Sequence, residues 1–138
     1  MALRFLLDTN LVSELTKAQP NAGVQRMLAQ TESDCALGAP TLEELTFGCH
    51  RLPPGTRRDA LLQWLDGLPP QLPVLPFDAA AARWLGAERA RLANVGRPAP
   101  RTDGELAAIA VVNGLTLVTR NLRDFAAFNG LQVVNWHS

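Results

Sequence analysis

The 138-residue chain has no tyrosine, two cysteines, two histidines, a single lysine and no net charge. Each scarcity closes a class. Cys35 and Cys49 cannot build a disulfide framework and lack metal-ligand spacing, so they read as buried thiols in a reducing compartment. Thirteen Lys+Arg against thirteen Asp+Glu exclude a surface that is basic all round, but not a local basic face. The longest apolar stretches, such as Leu106–Val112, fall far short of the roughly 20 residues a membrane span needs. At the N-terminus Asp8 arrives too early for a signal-peptide apolar region. The expectation is a cytoplasmic protein with no membrane segment.

What is there is a globular composition, 47% hydrophobic and 19% charged, in a length that suits one domain spanning residues 1–138. Short apolar runs at Leu3–Leu7, Cys35–Leu37, Val74–Leu75, Leu115–Val118 and Leu131–Val134 read as strands. Helical spacing appears from Leu11, from Val24, from Thr41, over Leu61–Leu68, over Ala79–Ala93 and over Thr102–Asn113. Pro69, Pro70 and Pro73 end the Leu61–Leu68 helix, and Gly114 closes the last long one. A shorter helical turn follows at Asn121–Phe128. Short apolar strands alternating with helices predict an α/β/α sandwich around a parallel sheet of about five strands.

Four carboxylates carry the functional information. Asp8 directly follows the first strand, at the carboxyl edge where open parallel sheets bind ligands. It is equally a polar strand end, although Asn10 is available to cap the following helix. Asp103 lies between Thr102 and Glu105, whose spacing is that of a capping box, so Asp103 is either an ordinary first-turn acid or a site residue. Glu44 shares a helix side with Gly48, which leaves room beside its carboxylate, while Glu43 faces solvent. Asp124 stands three residues after Asn121, which makes it an ordinary helix-start acid as readily as a catalytic one. Acids converging on one place repel unless a cation sits among them, and an all-oxygen set favours Mg²⁺ or Mn²⁺. His50 and His137 lie outside these groups, which leaves little for a histidine mechanism.

These blocks are recognisable together. Leu7-Asp8-Thr9-Asn10-Leu11-Val12-Ser13-Glu14, Thr41-Leu42-Glu43-Glu44-Leu45, Gly96-Arg97-Pro98 with Asp103-Gly104-Glu105-Leu106, and Thr119-Arg120-Asn121-Leu122-Arg123-Asp124-Phe125 occur in register over nearly the whole chain. The sequence resembles the PIN-domain ribonucleases, and among them the VapC-type toxins of bacterial toxin–antitoxin pairs. The resemblance implies a compact fold with a central parallel sheet and Mg²⁺- or Mn²⁺-dependent endoribonuclease activity. It carries over Asp8, Glu44 and Asp103 as the acidic core. Asp124 matches a fourth acid, but Asn121 stands where some relatives of the wider fold place one. Asn10, Ser13, Thr119 and Asn121 match supporting polar positions. A homodimer and a cognate antitoxin are implied as well.

Twelve of the thirteen basic residues are arginines, whose forked guanidinium suits phosphates. Arg83, Arg89, Arg91, Arg97 and Arg101 share a stretch with only one acid, Glu88. Arg97, Arg120 and Arg123 lie nearest the motifs and are the expected RNA contacts. Trp64 and Trp84 belong to apolar stripes and read as packing, while Trp136 is open between packing and base stacking. Two other functions fit the same fold: a non-catalytic RNA-binding or assembly module, and a metal-dependent phosphohydrolase of small phosphoesters. All four acids being present speaks against the first. Asn10, where an aspartyl-phosphate enzyme of that kind has a second Asp, speaks against the second.

Overall fold

The computed structural model describes residues 2–68 and 71–138. Five strands, β1 (Phe5–Leu7), β2 (Cys35–Gly38), β3 (Val74–Leu75), β4 (Thr116–Val118) and β5 (Val133–Val134), form one sheet in the order β3-β2-β1-β4-β5. Every pairing is parallel. Among the described residues, seven α-helices accompany them: α1 (Thr9–Glu14), α2 (Ala22–Thr31), α3 (Ala39–His50), α4 (Thr56–Asp66), α5 (Ala79–Asn94), α6 (Arg101–Val112) and α7 (Leu122–Phe125). The predicted sandwich is therefore the observed one.

Both faces of the sheet are covered, so successive side chains of a strand alternate between two cores. Leu6, Ala36 and Leu117 point to one, where they pack with Leu85, Leu92, Leu106, Ile109, Phe125 and Phe128. Leu7, Leu37 and Val118 point to the other, against Leu11, Val12, Val24, Cys49 and Leu65. Cys35 and Cys49 are both buried free thiols, as expected. Trp64 and Trp84 are half-buried against opposite cores. Trp136 is only 5% exposed and meets Phe5 edge-on at 5.1 Å, so it is packing rather than a base platform.

Small residues set how closely the helices approach. A Cβ on Gly104 of α6 would stand 2.8 Å from Leu85 Cδ1 of α5, so a larger residue there would require the Leu85 side chain to shift. Gly114, at φ +68, turns α6 into β4 through the left-handed region as its position predicted. Glu88 on α5 is buried. Arg91 donates to both its oxygens at 2.7 and 2.8 Å, and the Asn129 N–H donates to it at 2.9 Å. Arg91 also reaches the Ala127 carbonyl at 2.8 Å, which ties α5 to the chain just after α7.

Several boundaries and caps differ from expectation. The first, fourth and fifth strands lose their leading residues, because parallel pairing begins only at Phe5, Thr116 and Val133. α3 starts at Ala39, two residues before Thr41, with Pro40 in its first turn. α6 starts at Arg101, with Pro100 as its N-cap residue and no side-chain cap. Thr102 is thus already inside the helix, and Glu105 accepts from Arg101 at 3.3 Å instead of closing a capping box. Pro69 and Pro70, expected to end the helix before them, lie outside the described residues. Among the described residues no helix is long and apolar enough to cross a membrane.

Candidate active site

β1 is the centre of the sheet, and the chain leaves it first toward β2 and β3 and later toward β4 and β5. The crevice between the carboxyl ends of β1 and β4 is therefore the point where the strand order reverses, the usual ligand position in open α/β sheets. Leu7 pairs with Val118, so Asp8 and Thr119 emerge side by side at this crevice. Asp8 is 6% exposed and Thr119 fully buried. The Thr119 hydroxyl donates to Asp8 Oδ2 at 2.6 Å and accepts from the Asn121 N–H at 3.0 Å. The other oxygen, Oδ1, accepts from the Asn10 N–H at 3.3 Å.

Asp8 itself is thus the N-cap residue of α1, which corrects the expectation that Asn10 would cap and leave Asp8 without that duty. The reason is backbone geometry: Asp8 has extended φ/ψ and Asn10 is already helical, so only Asp8 can reach a free amide of the first turn. Capping and site roles are compatible, since each carboxylate oxygen has a second lone pair.

Glu44 is exposed on α3, and Thr9 Oγ donates to its Oε1 at 2.6 Å. The buried Thr41 hydroxyl stands 3.2 Å from the same Thr9 oxygen, so two threonines tie α1 to α3 and orient the glutamate. Glu44 faces a hollow of about 190 Å³ that it shares with Gly48, Thr9, Ser13 and Trp64. Glu43 is exposed, as expected.

Asp103, half-buried in the first turn of α6, links the group. Its carboxyl is pushed up to about 6, first by burial and then by the charges of Asp124, Asp8 and Glu44. The charges of the other three acids thus bear on Asp103. Asn121 occupies the N-cap position of α7 but makes no side-chain cap bond, and its carbonyl accepts from the Asp124 N–H at 3.1 Å.

A hard divalent cation fits the chemistry of this donor set, which is all oxygen, anionic and mutually repulsive. Among the described residues, no three such side chains already converge closely enough to hold an ion.

Of the supporting polar residues, Asn10, Ser13 and Asn121 line a second hollow together with Arg120. Arg97 and Arg123 are exposed, have no ion pair among the described residues, and line neither hollow. Arg91 is occupied by Glu88 and Arg101 by Glu105, which removes both from the expected basic stretch. Sequence reasoning missed Thr9, Thr41 and His137. His137 stands in the second hollow, with Nε2 3.7 Å from Glu14 Oε1.

An all-parallel sheet with Asp8 buried at its reversal point defines an α/β protein of the open, doubly covered kind. No family model matches the chain. It is 38% identical over 134 residues to a VapC ribonuclease of Sinorhizobium fredii, covering 94% of this chain and 95% of the relative. It is 34% identical to the tRNA(fMet)-specific endonuclease VapC of Shigella flexneri, covering 97% and 98%. Its fold superposes on the DNA-bound VapBC structure from Salmonella typhimurium with a TM-score of 0.85, at 30% identity and 97% and 98% coverage. The chain belongs to the VapC family.

Proposed function

We propose that this chain is a divalent-metal-dependent endoribonuclease, the toxin of a toxin–antitoxin pair, with residues 1–138 acting as one PIN domain. The observation that carries the reading is Asp8, buried at the carboxyl end of β1 beside Thr119, with Asp103 near enough to feel its charge and those of Asp124 and Glu44. Asp8, Glu44, Asp103 and Asp124 are assigned as the catalytic acids and as ligands of Mg²⁺ or Mn²⁺. Asp124 is preferred to Asn121 as the fourth because its charge weighs most among the three acids acting on Asp103. When bound, the ion supplies an activated water and offsets charge on the scissile phosphate and leaving oxygen.

The protein's own residues keep the carboxylates aimed. Thr119 and the Asn10 amide fix both oxygens of Asp8, and Thr9 fixes Glu44. Arg120 beside the centre holds the RNA backbone, and Arg97 and Arg123 are assigned weaker, peripheral phosphate contacts. The proposal includes a cognate antitoxin, supported by the likeness to a VapBC complex, as well as a homodimer and action in the cytoplasm.

The test is cleavage by purified, antitoxin-free protein of a structured cellular RNA pool and of initiator tRNA, the RNA in the name of the Shigella relative. Discrete fragments with Mg²⁺ or Mn²⁺, lost in EDTA and in Asp8→Asn, are expected. Intact RNA from a folded protein that binds metal overturns the reading.

A further inference from the structure

We propose that the hollow beside Glu44, between α1, α3 and α4, seats one base of the RNA next to the bond being cleaved. The proposal rests on the nuclease reading and adds to it a place where a nucleobase is held. Thr9 and Glu44 belong both to this hollow of about 190 Å³ and to the acidic centre, so a strand whose phosphate lies at the acids brings a neighbouring base here. The walls and rim suit a flat heteroaromatic ring. Leu45, Leu61 and Trp64 supply apolar surface, and Trp64 is only half-buried, so part of its indole stays open to the hollow. A base of any identity can stack there, because every base has a π face. Its polar edge meets hydroxyls: Thr16 donates to the Ser13 carbonyl at 2.7 Å, which leaves its own lone pairs to accept, and the Ser13 hydroxyl can donate or accept.

Gly48 is the sign that this space is kept open. It lies in the interior of α3, where glycine weakens a helix relative to alanine. Its φ is not positive, and a Cβ built on it meets nothing within 4 Å, so neither backbone nor packing demands a glycine there. What a side chain at this position would occupy is the hollow, which Gly48 lines.

Phe47 and Arg51 are a second, independent sign. They share one side of α3 with Glu44 and Gly48. Phe47 is 62% exposed, more than any other large hydrophobic side chain among the described residues. The Arg51 guanidinium lies 5.6 Å from the centre of its ring and has no ion pair among the described residues. An open aromatic face with an unneutralised cation beside it suits a polyanion that carries bases better than an apolar peptide.

Fluorine NMR of protein labelled with fluorotryptophan tests this in EDTA, without metal. Trp84 and Trp136, packed elsewhere, are built-in references. The probes are adenosine, cytidine and uridine, uncharged so that the acids do not repel them, with ribose as the control that lacks a base. The Trp64 signal, assigned by its loss in Trp64→Phe, is expected to move with at least one nucleoside while the references stay still. An unmoved Trp64 signal overturns the proposal, and so does an equal response to ribose. Gly48→Leu, which fills the hollow, is expected to weaken nucleoside binding about tenfold and to raise KM for RNA cleavage with kcat little changed. Binding and KM both unchanged in folded Gly48→Leu overturn the proposal and leave the hollow to a protein partner. RNA left intact in Mg²⁺ alongside a responsive Trp64 overturns the nuclease reading alone. Cleavage with a silent Trp64 overturns this base position alone.

Discussion

Asp103 is a residue the fold holds at a disadvantage. Its carboxyl titrates near 6 in the folded protein, above the ordinary aspartate value it has when unfolded. The folded state therefore binds the proton more tightly, and stability contributed by the protonated acid is lost as pH rises through about 6. In metal-free buffer, Asp103→Asn is expected to raise Tm at neutral pH, with the advantage shrinking as pH falls from 6 toward 4. Thermal melts across that window check it, and saturating Mg²⁺ should reverse the order in favour of the wild type. Thr119 has a different part, holding Asp8 Oδ2 through its hydroxyl. Under the proposed ligand assignment, Thr119→Val lowers metal affinity or cleavage by about 10–100-fold, measured by calorimetry and turnover. Asp8, Asp103 and Asp124 were legible because each follows a strand or opens a helix, and Glu44 because Gly48 stands one turn beyond it. Thr9, Thr41 and His137 were not, because Thr9 meets Thr41 and Glu44 across two helices and His137 meets Glu14 from the far end of the chain, and no local period relates them.

At the scale of elements, the placement of Asp103 depends on how closely α6 approaches α5. Gly104→Ala puts a methyl 2.8 Å from Leu85 Cδ1, and overpacking of this kind costs about 1–3 kcal/mol. Denaturant unfolding of Gly104→Ala, Leu85→Ala and the double variant should show strong coupling, the pair costing less than the sum of the singles. Additive losses would mean that the contact is not the reason for the glycine. The strands were readable because alternation between two cores leaves continuous apolar runs. Helix starts were less so. The entry to α1 depends on Asp8 being extended, and that to α6 on Pro100 rather than on the Thr102–Glu105 spacing. Single-residue backbone angles decide a cap, and composition does not report them.

On the scale of the whole molecule, strand count and parallel sense followed from the alternation of strands and helices, but strand order did not. Nothing in the residues of β1 says that it lies between β2 and β4, yet this order creates the crevice. It also has a consequence in time. The hydrogen bond between Thr119 and Asp8 spans 111 positions of chain, and β1 gains its second neighbour only when β4 arrives. A ribosome making this protein therefore produces Asp8 among the first residues and completes its surroundings near the end. Under the proposed assignment, the acidic centre stays incomplete until the final fifth of the polypeptide has emerged, so the nascent chain is inactive until its synthesis is nearly done.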